Sequence, residues 1–282
     1  MIIIKGAPPS PQGLFRLSEV PQQVEISQRT YSTGWWELDQ LFKPYLGEYI
    51  VITGKAGSGK STLVFNLLCN LARDHDLRAA IYIPENELDI RAKLKRIWLA
   101  KGSNADSFER YAAAQCFVRS ATHFVEREQG DRFEPRTIQW VLDNLEYAVR
   151  FCGCSIVMVD PWNELERLKQ KEELLSDYIC RCIGFMKDFC RNLNVMMFMV
   201  AHPTKAIMEG QGRLPTLYDI EGSAHWANKA DAGLIVARGD NNRSQVIVDR
   251  VREQGEAGKP GKCYFQVDPV NGLYVPEYGG VT

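Results

Sequence analysis

The stretch YIVITGKAGSGKST at residues 49–62 decides the fold class. Its first five residues predict a buried strand, and a glycine-rich turn then leads into a helical segment from about Lys60 to Arg73. The turn fits GxxxxGK[ST] and lies between a strand and a helix, as this phosphate-binding motif requires. The stretch therefore predicts a nucleotide site in an α/β protein. A glycine-rich turn that binds no ligand is the alternative.

The chemistry of this motif gives each part of the turn a role. Glycines let backbone N–H groups converge on phosphate oxygens, and the N-terminus of the following helix adds positive potential. Lys60 can reach the β and γ phosphates, and the Ser61 hydroxyl can bind Mg²⁺. The predicted nucleotide contacts are Gly54, Lys55, Ala56, Gly57, Ser58, Gly59, Lys60, Ser61 and Thr62.

A carboxylate at the end of a later strand completes a predicted magnesium site. Asp160 ends the apolar run SIVMVD. A carboxylate there would face the phosphate loop across the edge of the sheet, where it can hold Mg²⁺ directly or through water. An ordinary turn residue is the alternative, and the presence of the phosphate loop favours magnesium.

Strands alternate with helical segments after Gly47. The apolar runs AAIYIP, SIVMVD and VMMFMVA predict strands, and residues 136–150 and 172–191 have helical periodicity. After Asp231 only short strands follow, separated by Gly, Asn and Pro. The pattern predicts a mostly parallel sheet with helices on both faces and antiparallel strands at the C-terminal end. Residues 1–30 contain four prolines and predict an arm or linker, with residues 31–282 as the main domain.

Composition excludes several classes of protein. No apolar run is long enough to span a membrane, and the first residues, MIIIKGAPPSPQG, fit neither a signal peptide nor an anchor, so we expect an intracellular protein. A net charge of -1 argues against coating of nucleic acid by overall positive charge, so any DNA contact must come from local loops. The pairs Cys152/Cys154 and Cys180/Cys182 lack the spacing of common zinc sites, and we expect core-packed thiols.

Four segments after the phosphate loop carry a family resemblance. They are YIPENE (82–87), VDPWNELE (159–166), VAHPTK (200–205) and DIEGSAHWANKAD (219–231), and the lead-in TGWWELDQLFKPYLGE (33–48) adds to them. In this order they resemble the DnaB family of ring helicases, especially the helicase halves of phage primase-helicases and mitochondrial Twinkle. The resemblance covers roughly residues 30–275 and implies a RecA-like P-loop NTPase core.

The resemblance implies roles for two residues near the γ phosphate. Glu85 would polarise the attacking water, although a helix-start acid favoured by the macrodipole is the alternative. His202 follows a wholly apolar strand and would contact the γ phosphate, relaying hydrolysis to the next loop. A histidine satisfied at the edge of the core is the alternative.

The resemblance also implies contacts made by cations of the C-terminal strands. Arg252, with Arg250 in the place often held by lysine, would reach into the nucleotide site of the adjacent subunit as an arginine finger. Two exposed strand arginines that only aid solubility are the alternative. Arg238 and Tyr264 are weaker candidates to stack on the nucleotide base.

The segment after His202 is rich in Gly and Pro, and the resemblance places DNA contacts in it. Lys205 and Arg213 would contact the DNA backbone, and a further contact would lie near Gly222 and Ser223. An ordinary solvated loop is the alternative, since the family tends to have more basic residues there.

The sequence therefore predicts a replicative DNA helicase motor that uses ATP, or another NTP, and Mg²⁺. Single-stranded DNA, a homo-oligomer that is a hexameric ring, and a primase or polymerase are the expected partners, without a membrane. The expected location is the cytoplasm of a bacterium or phage-infected cell, with an organelle as the alternative. The rival hypotheses are a RecA-like DNA-binding ATPase without processive unwinding and a small-molecule P-loop kinase. No primase region precedes the motor, so primer synthesis is not expected and the chain could be an excised domain.

Overall fold

One sheet organises the part of the chain that the computed structural model describes, namely residues 30–84, 89–118, 135–209, 213–222 and 224–278. Its strands are β1 (Tyr49–Thr53), β2 (Ala79–Tyr82), β3 (Cys116–Val118), β4 (Ile156–Val159), β5 (Met196–Val200), β6 (Ala232–Arg238), β7 (Arg243–Val251), β8 (Gly261–Val267) and β9 (Tyr274–Pro276). They lie in the order β3-β2-β4-β5-β1-β6-β7-β8-β9. Neighbours from β3 to β6 pair in parallel, and the pairs from β6 to β9 are antiparallel.

The helices cover both faces of this sheet. They are α1 (Trp36–Asp39), α2 (Lys60–His75), α3 (Ile90–Ala100), α4 (Ala105–Ala114), α5 (Ile138–Cys152), α6 (Leu175–Leu193), α7 (Lys205–Glu209) and α8 (His225–Lys229). Side chains of α2, α3 and α4 pack in one hydrophobic cluster, whereas those of α5, α6 and α8 pack in another on the opposite face. The predicted fold class, a RecA-like sheet with helices on both faces and antiparallel C-terminal strands, is confirmed.

Local signals explain where the two long helices of the second cluster begin and end. The hydroxyl of Thr137 accepts a hydrogen bond from the Trp140 amide at the start of α5, and this side-chain cap satisfies an otherwise unpaired N–H. At their C-termini α5 and α6 end at Gly153 and Asn194, both in the left-handed conformation that stops a helix. After these residues the chain leaves the helices and returns to the sheet in β4 and β5.

The central strand β1 gives the sheet its polarity. All five of its residues are buried, and it pairs in parallel with β5 on one side and β6 on the other. Because parallel strands end at a common edge, the segments that follow β1, β4 and β5 meet there. The opposite edge holds the start of β6 and the end of β7, since Gly233 pairs with Arg250 and Ala232 with Val251.

The structure also contains elements that the sequence patterns did not predict. Helix α4 leads into the short strand β3, which extends the sheet beyond β2. Strand β9 extends the sheet on its other side. The segment after His202, expected to be a loop, begins with the one-turn helix α7. The proposed arm at residues 1–30 lies almost wholly outside the described residues, so the division at residue 30 stays a prediction.

The cysteines differ in their exposure. Cys154 and Cys182 are buried as expected, whereas Cys152 is exposed and Cys180 is half-buried. The expectation of core-packed thiols therefore holds for one member of each pair. None of the helices in the described ranges is long and apolar enough to cross a membrane.

We expect the stability of the fold to depend on Phe198, which is fully buried in β5. Phe198→Ala removes the entire aromatic ring from the core and should lower the free energy of unfolding by about 3–5 kcal/mol. Urea denaturation followed by circular dichroism measures this loss. Phe151→Ala, at a ring that is 71% exposed, is the matched control and should cost less than about 1 kcal/mol. Equal losses in the two variants would contradict this description of the core.

Candidate functional site

Residues of β6 and β9 contact the phosphate loop directly. Gly54 approaches the backbone of β6 so closely that a Cβ there would lie 2.3 Å from the Val236 carbonyl oxygen. Gly59 has a φ of +96°, and its carbonyl accepts a hydrogen bond of 3.2 Å from the Tyr274 hydroxyl. Both positions therefore require glycine. The loop leads directly into α2, so the N-terminus of that helix faces the space the loop encloses.

Three polar side chains come together at the carboxyl end of β1. The Lys60 ammonium donates to the Gly54 and Lys55 carbonyls, each at 3.0 Å, and the residue is 5% exposed. The Ser61 hydroxyl hydrogen-bonds the Asp160 carboxylate. Burial raises the pKa of Asp160, and the Ser61 hydrogen bond and the Lys60 charge partly oppose that rise.

The contacts of Asp160 fit a hard divalent cation. Its second oxygen, Oδ2, is buried without a hydrogen-bond partner among the described residues. A buried carboxylate oxygen with no donor is costly unless a ligand satisfies it, and oxygen ligands are those that Mg²⁺ prefers. Because Ser61 interacts with the same carboxylate, the two residues could hold Mg²⁺ while Lys60 contacts phosphate.

His202 follows β5 at the same edge of the sheet. Its backbone amide donates to Asn163 Oδ1 at 2.9 Å, and its Nδ1 is buried without a hydrogen-bond partner in the described part of the chain. Burial, helped by the nearby Lys60 charge, lowers the pKa of His202 to about 4. The imidazole is therefore neutral at physiological pH.

Asn163 connects His202 to the segment that precedes Gly222. While its Oδ1 accepts from the His202 amide, its Nδ2 donates to Glu221 Oε2 at 2.8 Å. The backbones also pair, since Pro203 forms an antiparallel bridge with Ile220 and the Glu221 amide donates to the His202 carbonyl. One side chain and one short backbone pairing thus connect His202 with residues 220–221.

A cavity of about 260 Å³ lies beside the phosphate loop. It is lined by Lys55, Ala56, Gly57, Ser58, Leu214, Pro215, Val236, Ala237 and Arg238. Arg238 is therefore placed where a nucleotide base could lie. Tyr264, the other predicted stacking residue, does not line this cavity and instead lies 4.2 Å from the Arg243 guanidinium. The reason is strand alternation, because Cys263 and Phe265 point into the core and Tyr264 to the other face.

The predicted DNA contacts fall into three groups. Lys205 is exposed at the start of α7. Arg213 forms a bidentate ion pair with Asp219, with both distances 2.6 Å, so DNA would have to compete with this carboxylate. Gly222 packs so closely on α6 that a Cβ would lie 2.5 Å from Ile179, which explains a glycine there without any DNA. Ser223 lies outside the described residues, as does the predicted base Glu85.

The two arginines predicted to act on another subunit lie at the opposite edge of the sheet. Arg250 donates through Nε to the Ala230 carbonyl at 2.8 Å, and Arg252 Nε contacts Asp231 Oδ1 at 3.0 Å. Asp231 in turn pairs with Tyr49 at the start of β1. The phosphate loop begins at the far end of β1, about 15 Å away for a five-residue strand. These arginines therefore do not reach the phosphate loop of their own chain.

Comparison with known proteins places the chain in a family. A model of the AAA domain family matches residues 27–208, which is more than half of the chain. The chain belongs to the AAA domain family. The matched part contains the phosphate loop, Asp160 and His202, so the family assignment rests on the segment that builds this site.

A curated relative and two solved structures are similar to this AAA domain chain. The Twinkle homolog protein, chloroplastic/mitochondrial, of Arabidopsis thaliana is 31% identical over an alignment of 288 positions, gaps included, which covers 93% of the chain. The chain spans 40% of the length of that relative. A DnaB-like replicative helicase, whose structure is described with its interactions with primase, aligns with a TM-score of 0.67 and 16% identity over 86% of this chain and 62% of that one. A KaiC-like protein of Pyrococcus horikoshii aligns with a TM-score of 0.59 and 17% identity over 88% and 99%.

These relatives confirm the predicted resemblance to DnaB-family ring helicases and the RecA-like fold. The fold is shared with proteins of other kinds, as the KaiC-like structure shows. What the AAA domain does is therefore decided by its site residues and not by its architecture.

Sequence patterns missed three residues that the geometry brings into the site. Asn163 and Glu221 lie inside the quoted segments VDPWNELE and DIEGSAHWANKAD, but only the folded structure joins them. Tyr274 touches the phosphate loop from far along the chain and carries no local signal. The sequence signal available for Asn163 and Glu221 was their position inside these two segments.

We expect the protonation of His202 to affect stability in acid. The unfolded imidazole is protonated below its ordinary pKa of 6.5, whereas the folded one stays neutral down to about 4. The free energy of unfolding therefore includes a favourable contribution that is complete above pH 6.5 and is lost as pH falls towards 4. His202→Asn should not show this loss. The difference in free energy of unfolding between the native protein and the variant should therefore change by on the order of 2 kcal/mol over this pH range. Parallel pH profiles from urea denaturation of the two proteins would contradict this environment for His202.

Proposed function

We propose that the chain is the motor of a DNA helicase, which couples ATP hydrolysis between subunits to movement along single-stranded DNA. The observation that carries the ATPase part is the contact of Ser61 with Asp160 beside the buried Lys60, where one carboxylate oxygen has no donor in the described part of the chain. Similarity to a Twinkle homolog and to a DnaB-like helicase supports the helicase part.

Each residue at the carboxyl end of β1 has a task in hydrolysis. Lys60 and the amides of the phosphate loop bind the β and γ phosphates, and Ser61 with Asp160 holds Mg²⁺. When bound, Mg²⁺ neutralises charge that develops on the phosphate oxygens. Glu85 orients and polarises the attacking water, and the neutral His202 can donate or accept a hydrogen bond near the γ phosphate.

The site is completed by another copy of the chain. Arg252 cannot reach its own phosphate loop, because the two lie at opposite ends of β1. An arginine at such a position can serve the next subunit of a ring and stabilise the charge of the transition state, with Arg250 beside it. A hexameric ring is the assembly we propose, with single-stranded DNA in its channel.

Hydrolysis is coupled to DNA through Asn163. The side chain joins the His202 amide to Glu221, next to the proposed contacts at Gly222 and Ser223. Lys205 lies exposed in the same segment and Arg213 exchanges Asp219 for a DNA phosphate. A primase or polymerase is a proposed partner, and the location is proposed to be intracellular, in an organelle or in a bacterial or phage-infected cytoplasm.

Strand displacement on a forked DNA substrate tests the proposed activity. ATP-dependent release of the labelled strand supports a helicase. DNA-stimulated hydrolysis without any strand release would instead favour a RecA-like ATPase that binds or remodels DNA. Phosphate transfer to an acceptor other than water, with no response to DNA, would favour a kinase.

We expect Arg252→Ala to abolish most ATP turnover of the assembled protein. The loss should be on the order of 10³-fold, the range observed when an arginine finger is missing. Turnover is measured with single-stranded DNA present, and light scattering reports the mass of the assembly. Arg150→Ala, at an exposed arginine of α5, is the matched control and should keep native turnover. Native turnover in an assembled Arg252→Ala variant would contradict the shared site.

We expect Asn163→Ala to weaken the response to DNA more than hydrolysis itself. Loss of this side chain breaks the link between His202 and Glu221, each bond of which contributes about 1 kcal/mol. The ratio of turnover with and without single-stranded DNA should therefore fall severalfold. Asn144→Ala, on the exposed side of α5, is the matched control. A native ratio in Asn163→Ala would show that coupling takes another route.

A further inference from the structure

A buried ionic cluster lies at the edge of the sheet opposite the phosphate loop. At its centre is Asp231, which is 3% exposed. Its Oδ1 accepts a hydrogen bond from Lys187 Nζ at 2.5 Å and forms an ion pair with Arg252 Nε at 3.0 Å, while Oδ2 accepts from the Tyr49 amide at 3.2 Å. Every part of this carboxylate is therefore used, and Arg252 is one of its three partners.

The cluster holds more positive charge than one carboxylate needs. Lys187 is largely buried and also donates to the Lys229 carbonyl at 2.7 Å. A second carboxyl group, Glu48, is nearby, but burial raises its pKa well above the usual value, which favours the uncharged form. Lys187 alone can balance Asp231, so Arg252 is a second cation on a carboxylate that is already paired.

Asp231 holds the backbone amide and Nε of Arg252, whereas the outer part of the guanidinium is exposed. Its backbone amide donates to the Asp231 carbonyl at 2.7 Å, and its Nε contacts the carboxylate of the same residue. Nη2 lies 3.4 Å from the Lys229 carbonyl, whereas Nη1 has no hydrogen-bond partner in the described ranges. The side chain remains 40% exposed. Nη2 also lies 3.5 Å from the Ala230 carbonyl, so among the described residues Nη1 is the nitrogen left open to a phosphate outside its own chain.

We propose that Asp231 is a positioning residue, which holds Arg252 in the orientation that the nucleotide site of the adjacent subunit requires. This inference rests on the proposed function, in which Arg252 acts between subunits. A long, flexible side chain fixed in advance loses less conformational entropy when it engages the transition state.

The competing explanation is an ion pair that serves only stability. In that case the loss of Asp231 would unfold or weaken its own subunit, and activity supplied by a neighbour could not restore it. A positioning role predicts the opposite, because the subunit that lacks Asp231 retains an intact phosphate loop at the far end of β1. Mixing experiments separate the two explanations.

The test is complementation between two inactive variants of the full chain. Asp231→Asn keeps the size of the side chain and removes its charge, and its homo-oligomer should turn over ATP on the order of 10²-fold more slowly, as for a misplaced catalytic group. Lys60→Ala lacks a working phosphate loop but has an intact Arg252. When the two are mixed and reassembled, Arg252 of a Lys60→Ala subunit can serve the loop of an Asp231→Asn subunit, and turnover should rise well above the sum of the unmixed proteins.

Arg252→Ala mixed with Lys60→Ala is the reference for this experiment. Recovery in both mixtures supports the inference. Recovery with Arg252→Ala but not with Asp231→Asn, or native turnover of Asp231→Asn alone, overturns the role of Asp231 and leaves the shared site standing. Recovery in neither mixture, although the native oligomer is active, overturns the shared site itself.

A second variant keeps the inference testable if Asp231→Asn does not fold or assemble. Asp231→Glu keeps the charge for Lys187 but moves the carboxylate by one methylene group, which displaces Arg252. Its turnover should fall severalfold and recover on mixing with Lys60→Ala, while its affinity for a fluorescent ATP analogue stays native. Weaker analogue binding without recovery would assign Asp231 a structural role.

Discussion

The pairing of β1 with β5 on one side and with β6 on the other is the constraint on which the rest of the structure depends. It directs the ends of β1, β4 and β5 to one edge, where Lys60, Asp160 and His202 meet. It also places the start of β6 at the other edge, next to the start of β1. A single strand therefore separates the proposed phosphate site from the cluster that holds Arg252, and this separation is what the proposed site between subunits requires.

Both ends of β1 lie beside buried polar groups, but the two sets of groups differ in how far their hydrogen bonds are satisfied. At the phosphate edge, Asp160 Oδ2 and His202 Nδ1 are buried and have no hydrogen-bond partner among the residues that the structure describes. Such groups cost stability unless a ligand satisfies them. At the opposite edge every oxygen of Asp231 is satisfied, and the excess is a cation. One end of β1 thus has a carboxylate oxygen that a metal ion can satisfy, and the other has an exposed arginine, as the proposed site between subunits requires.

Much of this fold could be predicted, because its signals are local. The phosphate loop, the apolar strands and the periodic helices follow from spacing, and β1 was predicted at its observed bounds. Helix α4 with β3 was missed because a three-residue edge strand carries little pattern. The Asn163 to Glu221 contact and the Asp231 cluster could not be predicted, since each joins residues far apart in the chain. Tyr264 lies against Arg243 and does not line the cavity beside the phosphate loop, so its contact with the base stays a prediction.

Dependence of ATP turnover on assembly tests the central claim most directly. Turnover per chain is measured over a range of protein concentrations, with single-stranded DNA present and the mass followed by light scattering at each concentration. If the nucleotide site is shared, turnover per chain is very low where the protein is monomeric and rises together with the mass. Constant turnover per chain, down to concentrations at which only the monomer remains, would show that one chain holds a complete site and would contradict the account.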